Sequence, residues 1–209
     1  VRIFVFALPF EAAGFRPEHE NSQVWVLGVI GNSAAEKFEE RLNASDGPSL
    51  VVSAGLAGAL RPGLLVGDII VGADSEPRFL EKILPREGTT WTTGQIHTVD
   101  SIASTHQEKA MLAERTGATV CDMESARIAK ICQSRGIAFA GVRAVSDTLG
   151  FDMPVPPQYL AHPETGKPDV PRLLSSLLKS PSKIPAFYQM IREASLARKA
   201  LQAFLNNLV

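Results

Sequence analysis

The feature that most constrains this chain is an alternation. Short apolar runs recur along it, separated by longer segments whose apolar residues fall at helical spacing. Residues 1–8, 24–29, 50–54, 68–72, 119–121 and 138–145 read as strands, several of them apolar at successive positions and so buried on both faces. Residues 33–42, 105–116, 123–135 and 183–208 read as helices. In the third of these, Met123, Ala126, Ile128, Ala129 and Cys132 form one stripe, and Gly136 follows as a C-cap. Strands alternating with helices predict an α/β fold, a three-layer α/β/α arrangement around a central, largely parallel, twisted mixed sheet. A length of 209 residues suits one domain over residues 1–209.

Bulk properties narrow the function. Net charge is −1, so nothing draws the chain as a whole to nucleic acid or an anionic membrane. No apolar run approaches the ~18 residues of a membrane span, and residues 1–8 read as a strand rather than a signal peptide. Cys121 and Cys132 lie in apolar surroundings outside any CxxC pair and read as buried thiols of a cytoplasmic protein.

Two stretches break the pattern. Residues 74–95 carry mixed charge with Pro77, Pro85 and Gly88. Residues 151–171 hold six prolines, which predicts irregular structure, either a lid over a pocket or a plain connector. In the last helix, Phe187, Ile191, Leu201, Phe204, Leu205 and Leu208 share one side, flanked or opposed by Lys183, Arg192, Arg198 and Lys199. That side either packs on the sheet or touches lipid or an oily substrate.

Four segments hold residues able to do chemistry. Leu8-Pro-Phe-Glu11 places a carboxylate at the end of the first strand, where parallel sheets bind ligands. It could activate water or hold a ligand hydroxyl, or be a surface loop residue. Ala54-Gly-Leu-Ala-Gly58 follows a buried strand and reads as a Gly-rich turn that lets backbone approach a ligand, or as a turn that simply needs glycine. In Cys121-Asp-Met-Glu124-Ser, Asp122 could cap the next helix. Glu124 falls in its first turn and could accept two neighbouring hydroxyls, as of a ribose. Arg143-Ala-Val-Ser-Asp147 ends a strand with an acid that could hold a proton near neutral pH, or cap a turn.

In this order and spacing the four segments resemble the purine nucleoside phosphorylase and nucleosidase superfamily, over residues 1 to about 150. Thr98-Val-Asp100, Asp122-Met-Glu-Ser125 and the Pro-rich segment before a Lys/Arg-flanked terminal helix are similar to the hopanoid-associated phosphorylases. The resemblance implies cleavage of the N-glycosidic bond of a purine nucleoside, with adenine released from an adenosyl group attached to a hopane lipid. It implies that Asp147 protonates nitrogen 7 of the base with Ser146 orienting it. Glu124 would bind the ribose hydroxyls, Met123 would pack on the sugar, and Ile102 would lie near the base. Glu11 matches the glutamate that positions the attacking water in methylthioadenosine/adenosylhomocysteine nucleosidases. Gly55, Leu56 and Gly58 would border the sugar. The resemblance also implies a homodimer or larger assembly, with no metal and no cofactor. Phosphate is the one co-substrate to weigh.

One departure bears on the nucleophile. Phosphorylases of this superfamily place an arginine before the Gly-rich segment and a serine within it. Here those positions hold Ser53 and Leu56, which leaves Arg16, Arg61 or the backbone of residues 55–58 to hold phosphate. Hydrolysis is therefore the expected reaction, phosphorolysis the alternative, and nucleoside binding without catalysis a further one. Leu56 implies an apolar surround at the sugar's 5′ side or the nucleophile pocket. Gly28-Val-Ile-Gly31 is not a dinucleotide-binding fingerprint.

Overall fold

A computed structural model describes residues 1–17, 20–76, 90–162 and 165–208. Its eight strands are β1 (Arg2–Phe6), β2 (Ser22–Val26), β3 (Leu50–Ala59), β4 (Ile69–Gly72), β5 (Trp91–Gly94), β6 (Ile96–Thr98), β7 (Val120–Asp122) and β8 (Ala138–Asp147). Its helices are α1 (Pro9–Ala12), α2 (Gly31–Asn43), α3 (His106–Thr116), α4 (Ser125–Ser134), α5 (Val170–Lys179) and α6 (Ile184–Asn206). The strands form one mixed sheet in the order β2-β1-β3-β8-β4-β5, with β7 joined to the far end of β3 and β6 to β7. β1, β2, β3 and β8 run parallel, while β4 opposes β8 and β7 opposes β3.

The expected layers follow from side-chain alternation. On β1, Ile3 and Val5 point to one face and pack with Ala34, Phe38 and Leu42 of α2 and Ile128 and Cys132 of α4. Phe4 and Phe6 point to the other and meet Ala197, Leu201, Phe204 and Leu205 of α6. A strand covered on both faces must be apolar throughout, which is why these runs stood out in the sequence.

Several expectations shift. The Gly-rich segment is not a turn: β3 continues to Ala59, and Gly55 and Gly58 lie within it at negative φ. Residues 91–94, placed in the pattern-breaking stretch, form β5, and β6 follows just beyond it, although Pro77, Pro85 and Gly88 lie outside the described residues. Residues 151–162 and 165–169 are irregular apart from a 3-10 turn over Pro157–Tyr159, and residues 163 and 164 lie outside the described residues. The terminal stripe divides: Leu201, Phe204, Leu205 and Leu208 pack on the sheet, whereas Ile191 is 47% exposed.

Candidate active site

Each site residue is placed by a nearby strand end. Pro9 starts a single helical turn immediately after β1. That turn buries Glu11 and ties its carboxylate to two backbone N–H groups, Leu8 and Leu56, each donating at 2.9 Å. A Cβ on Gly55 would stand 2.8 Å from the Glu11 Oε1 atom, so glycine is required there for the carboxylate to reach β3.

Asp147 ends β8. The pairing of β3 with β8 steps from Ala57–Val145 to Gly58–Asp147, leaving Ser146 as the extra residue of a bulge. A bulge re-aims side chains at a strand end. The Ser146 hydroxyl lies 2.6 Å from Asp147 Oδ1 and 3.2 Å from the Ala57 carbonyl oxygen. Lys109 Nζ pairs with Asp147 Oδ2 and also donates to the Thr148 carbonyl at 2.8 Å. Lys109 is 1% exposed. A Cβ on Gly58 would lie 3.1 Å from Asp147 Oδ2 and 3.6 Å from Lys109 Cε, so this glycine makes room for the ion pair.

The position of Lys109 rests on the start of α3. Thr105 caps it, accepting from the Glu108 N–H at 3.2 Å, and Glu108 accepts in return from the Thr105 N–H at 3.1 Å. Hydrogen bonds from Ser104 and Thr105 hold the Glu108 carboxyl below its usual range, the Ser104 N–H acting most strongly. At the other end Gly117, at φ 65°, closes the helix.

Asp122 and Arg143 form a buried ion pair behind this region. Arg143 Nε and Nη2 reach Asp122 Oδ2 at 2.9 and 2.6 Å, and Nη1 donates to the Ser53 carbonyl at 2.7 Å. Thr98 donates to Asp122 Oδ1 at 2.7 Å, and the Ser125 N–H, the first of α4, donates to Oδ2 at 2.9 Å, so Asp122 satisfies one free N–H of that helix without being its N-cap residue. Burial acts to raise the Asp122 pKa, but Arg143 and these hydrogen bonds prevail and hold it low. Glu124 is the N-cap residue of α4 rather than part of its first turn, and its Oε1 accepts from the Gly31 N–H at 2.7 Å. Burial, then the charge of Asp122, push Glu124 up to about 7. Burial also raises Glu11, against the opposing hydrogen bonds from Leu56 and Leu8.

A cavity of about 180 Å³ opens among these groups, at the carboxyl ends of β1 and β8. Glu11, Leu56, Gly58, Ile102, Met123, Glu124, Ser146 and Asp147 all line it, while Gly55 lies beneath Glu11 and not on the wall. Ala7, Ile30, Met153 and Ala161 make one side apolar. Among the described residues the wall carries no Lys or Arg. Arg61 donates to the Gly117 carbonyl at 3.0 Å and Arg16 is exposed, so neither lines the cavity. Burial pushes the Cys121 thiol to about 11 and the Cys132 thiol to about 12, so neither is a nucleophile at neutral pH. Among the described residues, no group of three or more His, Cys, Asp or Glu side chains is arranged to hold a metal ion.

Lys109 and the Asp122–Arg143 pair were missed as site residues in the sequence reading. Arg143 gave a signal, since a cation inside an otherwise apolar two-faced strand demands a buried partner. Lys109 gave none: it sits in a mixed-charge helix among side chains that are solvated.

Comparison with known proteins agrees with this architecture. The family model described as the phosphorylase superfamily matches residues 15–79 and 75–177. A 5′-methylthioadenosine/S-adenosylhomocysteine nucleosidase from Actinobacillus succinogenes is 27% identical over 156 residues, covering 60% of this chain and 68% of that protein. The Thermotoga maritima protein of the same name is 27% identical over 152 residues, covering 62% and 68%. Among solved structures, the Streptococcus pneumoniae nucleosidase with a transition-state inhibitor superposes with a TM-score of 0.64 at 16% identity, covering 99% of both chains. Futalosine hydrolase of Helicobacter pylori gives 0.60 at 17% identity, covering 99% of this chain and 98% of that one. These structural likenesses speak to the fold, and the family-model match spans most of the sequence: the chain belongs to the phosphorylase superfamily.

Proposed function

We propose that this chain hydrolyses the N-glycosidic bond of a purine nucleoside and releases adenine. The observation that carries the choice of water is the fate of the Leu56 N–H. It is bonded to Glu11, so the backbone group best placed to hold phosphate is already taken, and by a carboxylate that repels anions. The buried Arg143 is likewise committed to Asp122. The names of the sequence relatives support the same reading, since both are nucleosidases.

In this reading the bond breaks through a sugar cation, as in glycoside hydrolysis. The Lys109 ammonium passes a proton to the Asp147 carboxylate it is paired with, and Asp147, steadied by Ser146, hands it to nitrogen 7 of the base. Glu11, made more basic by burial, takes a proton from the attacking water. Glu124 accepts the ribose hydroxyls, with Met123 against the sugar and Ile102 near the base. One proton leaves at the base end and one arrives at the sugar end, so the charge of the site is conserved.

The apolar wall at Ala7, Met153 and Ala161 supports a nucleoside with an apolar 5′ substituent, adenosylhopane among the candidates. The cavity is below the roughly 300–1,000 Å³ of drug-sized sites, so a polycyclic lipid would project beyond it. A groove of about 660 Å³ shares Val99, Ile102 and Ala103 with the cavity and includes Met111, 64% exposed. A second copy of the chain covering this groove would complete the site.

Adenine release from a panel of 5′-substituted adenosines, measured with and without phosphate, tests the reading. Phosphate-independent release is expected, and Asp147→Asn should lower it by about 10²–10⁴-fold. Strict dependence on phosphate would make the chain a phosphorylase, and intact nucleoside after prolonged binding would make it a binding protein.

A further inference from the structure

The least explained surface of the molecule is on α5 and the first turns of α6. Val170, Leu173, Leu174, Leu177 and Leu178 recur at the spacing of a single helical stripe. No residue of this stripe is fully buried: Leu173 and Leu177 are half-buried, while Val170, Leu174 and Leu178 are exposed, Leu178 at 77%. The exposed series continues after the turn over Pro181–Lys183 with Ile184, Tyr188 and Ile191, again at helical spacing.

Charge says what would cover it. Residues 167–193 contain Lys167, Arg172, Lys179, Lys183 and Arg192 against two acids, Asp169 and Glu193, the second accepting from Gln189. The chain as a whole carries −1, so the basic residues are concentrated where the apolar residues are exposed. Asp169 is engaged as the N-cap of α5 and in an ion pair with Arg172 at 3.5 Å. A second copy docking this face against itself about a two-fold axis would bring like charges together. An anionic bilayer meets both properties at once, receiving the leucines below its headgroups and the cations among them.

We infer that α5 and the start of α6 form a docking surface for an anionic lipid bilayer. This is peripheral contact: no helix among the described residues is long and apolar enough to cross a membrane. The surface follows directly on the segment whose Met153 and Ala161 wall the cavity. It does not depend on which bond the site breaks.

Co-sedimentation with vesicles tests it. The protein should bind phosphatidylglycerol-containing vesicles at least tenfold more tightly than pure phosphatidylcholine, and lose that preference in high salt. The pair Leu174→Asn with Leu178→Asn should abolish binding, and Lys179→Glu with Lys183→Glu should remove the preference for anionic lipid. These four positions are exposed, so far-UV circular dichroism should show an unchanged fold. Independently of those variants, Tyr188→Trp should blue-shift its emission on meeting the vesicles. Failure of the unaltered protein to sediment with anionic vesicles overturns the inference. So does a dimer that Leu174→Asn with Leu178→Asn splits while vesicle binding is absent or unchanged.

Discussion

At the residue scale, the site depends on how closely charged groups can approach β3. Gly55 and Gly58 do what their family position suggested for a ligand, but toward the protein itself: one admits Glu11, the other admits Asp147 and Lys109. The Lys109–Asp147 pair then carries a definite energetic signature. Removing one member of a buried pair leaves the other charge uncompensated and typically costs about 3–5 kcal/mol, whereas removing both is far milder. Lys109→Met should therefore destabilise the protein strongly. Adding Asp147→Asn to it should restore much of the loss. Urea unfolding of the two single variants and the double variant measures this coupling directly. Additive effects would mean that the two side chains do not interact in solution.

At the scale of elements, legibility tracked burial. Strands covered on both faces, such as β1 and the start of β3, announce themselves as unbroken apolar runs. β5 and β6 do not, because Trp91-Thr-Thr-Gly94 and Ile96-His-Thr98 are short and half-exposed, with no apolar run to read. β3 was cut short at Ala54 because glycine in sequence argues for a turn, and only the packing of Glu11 and Asp147 explains glycine inside a strand. The candidate residues were legible because four motifs fall in family order. Their buried counter-ions were not, since a partner distant in sequence has no local pattern. α5 is hard to read for a different reason: its stripe is plain, but the proline-rich segment before it argues for irregular structure, and Pro171 sits within its first turn, where proline is tolerated. Because no residue of α5 is fully buried, its helicity rests largely on local terms, chief among them the Asp169 cap. Asp169→Ala should cost about 1 kcal/mol in local helix stability. Amide exchange within Val170–Lys179 should then quicken several-fold while the global melting temperature stays within about 1 °C. An equal fall in global stability would mean that α5 unfolds only with the sheet.

At the scale of the whole molecule, the site gathers Glu11, Asp122 and Glu124 within a largely apolar interior. Arg143 is the buried cation given to Asp122. That allotment leaves Glu11 and Glu124 on the unfavourable side of burial, and it ties stability to pH. Glu124 moves from an ordinary value of 4.5 to about 7 in the fold, so the folded protein holds that proton more tightly than the unfolded chain. A raised carboxyl contributes its full stability below the unfolded value and loses it as pH climbs through the folded value. Stability should thus decline between about pH 4.5 and 7, with Glu11 acting in the same direction. Glu124→Gln isolates the larger resolved shift. The amide oxygen can still accept from the Gly31 N–H, and the side chain stays neutral at every pH. The variant should match the unaltered protein near pH 5 and exceed it by about 2 kcal/mol, or about 5 °C in melting temperature, at pH 8. Parallel melting curves for the two proteins across that range would mean that Glu124 is ionised without cost, and that water or a counter-ion reaches it in the free protein.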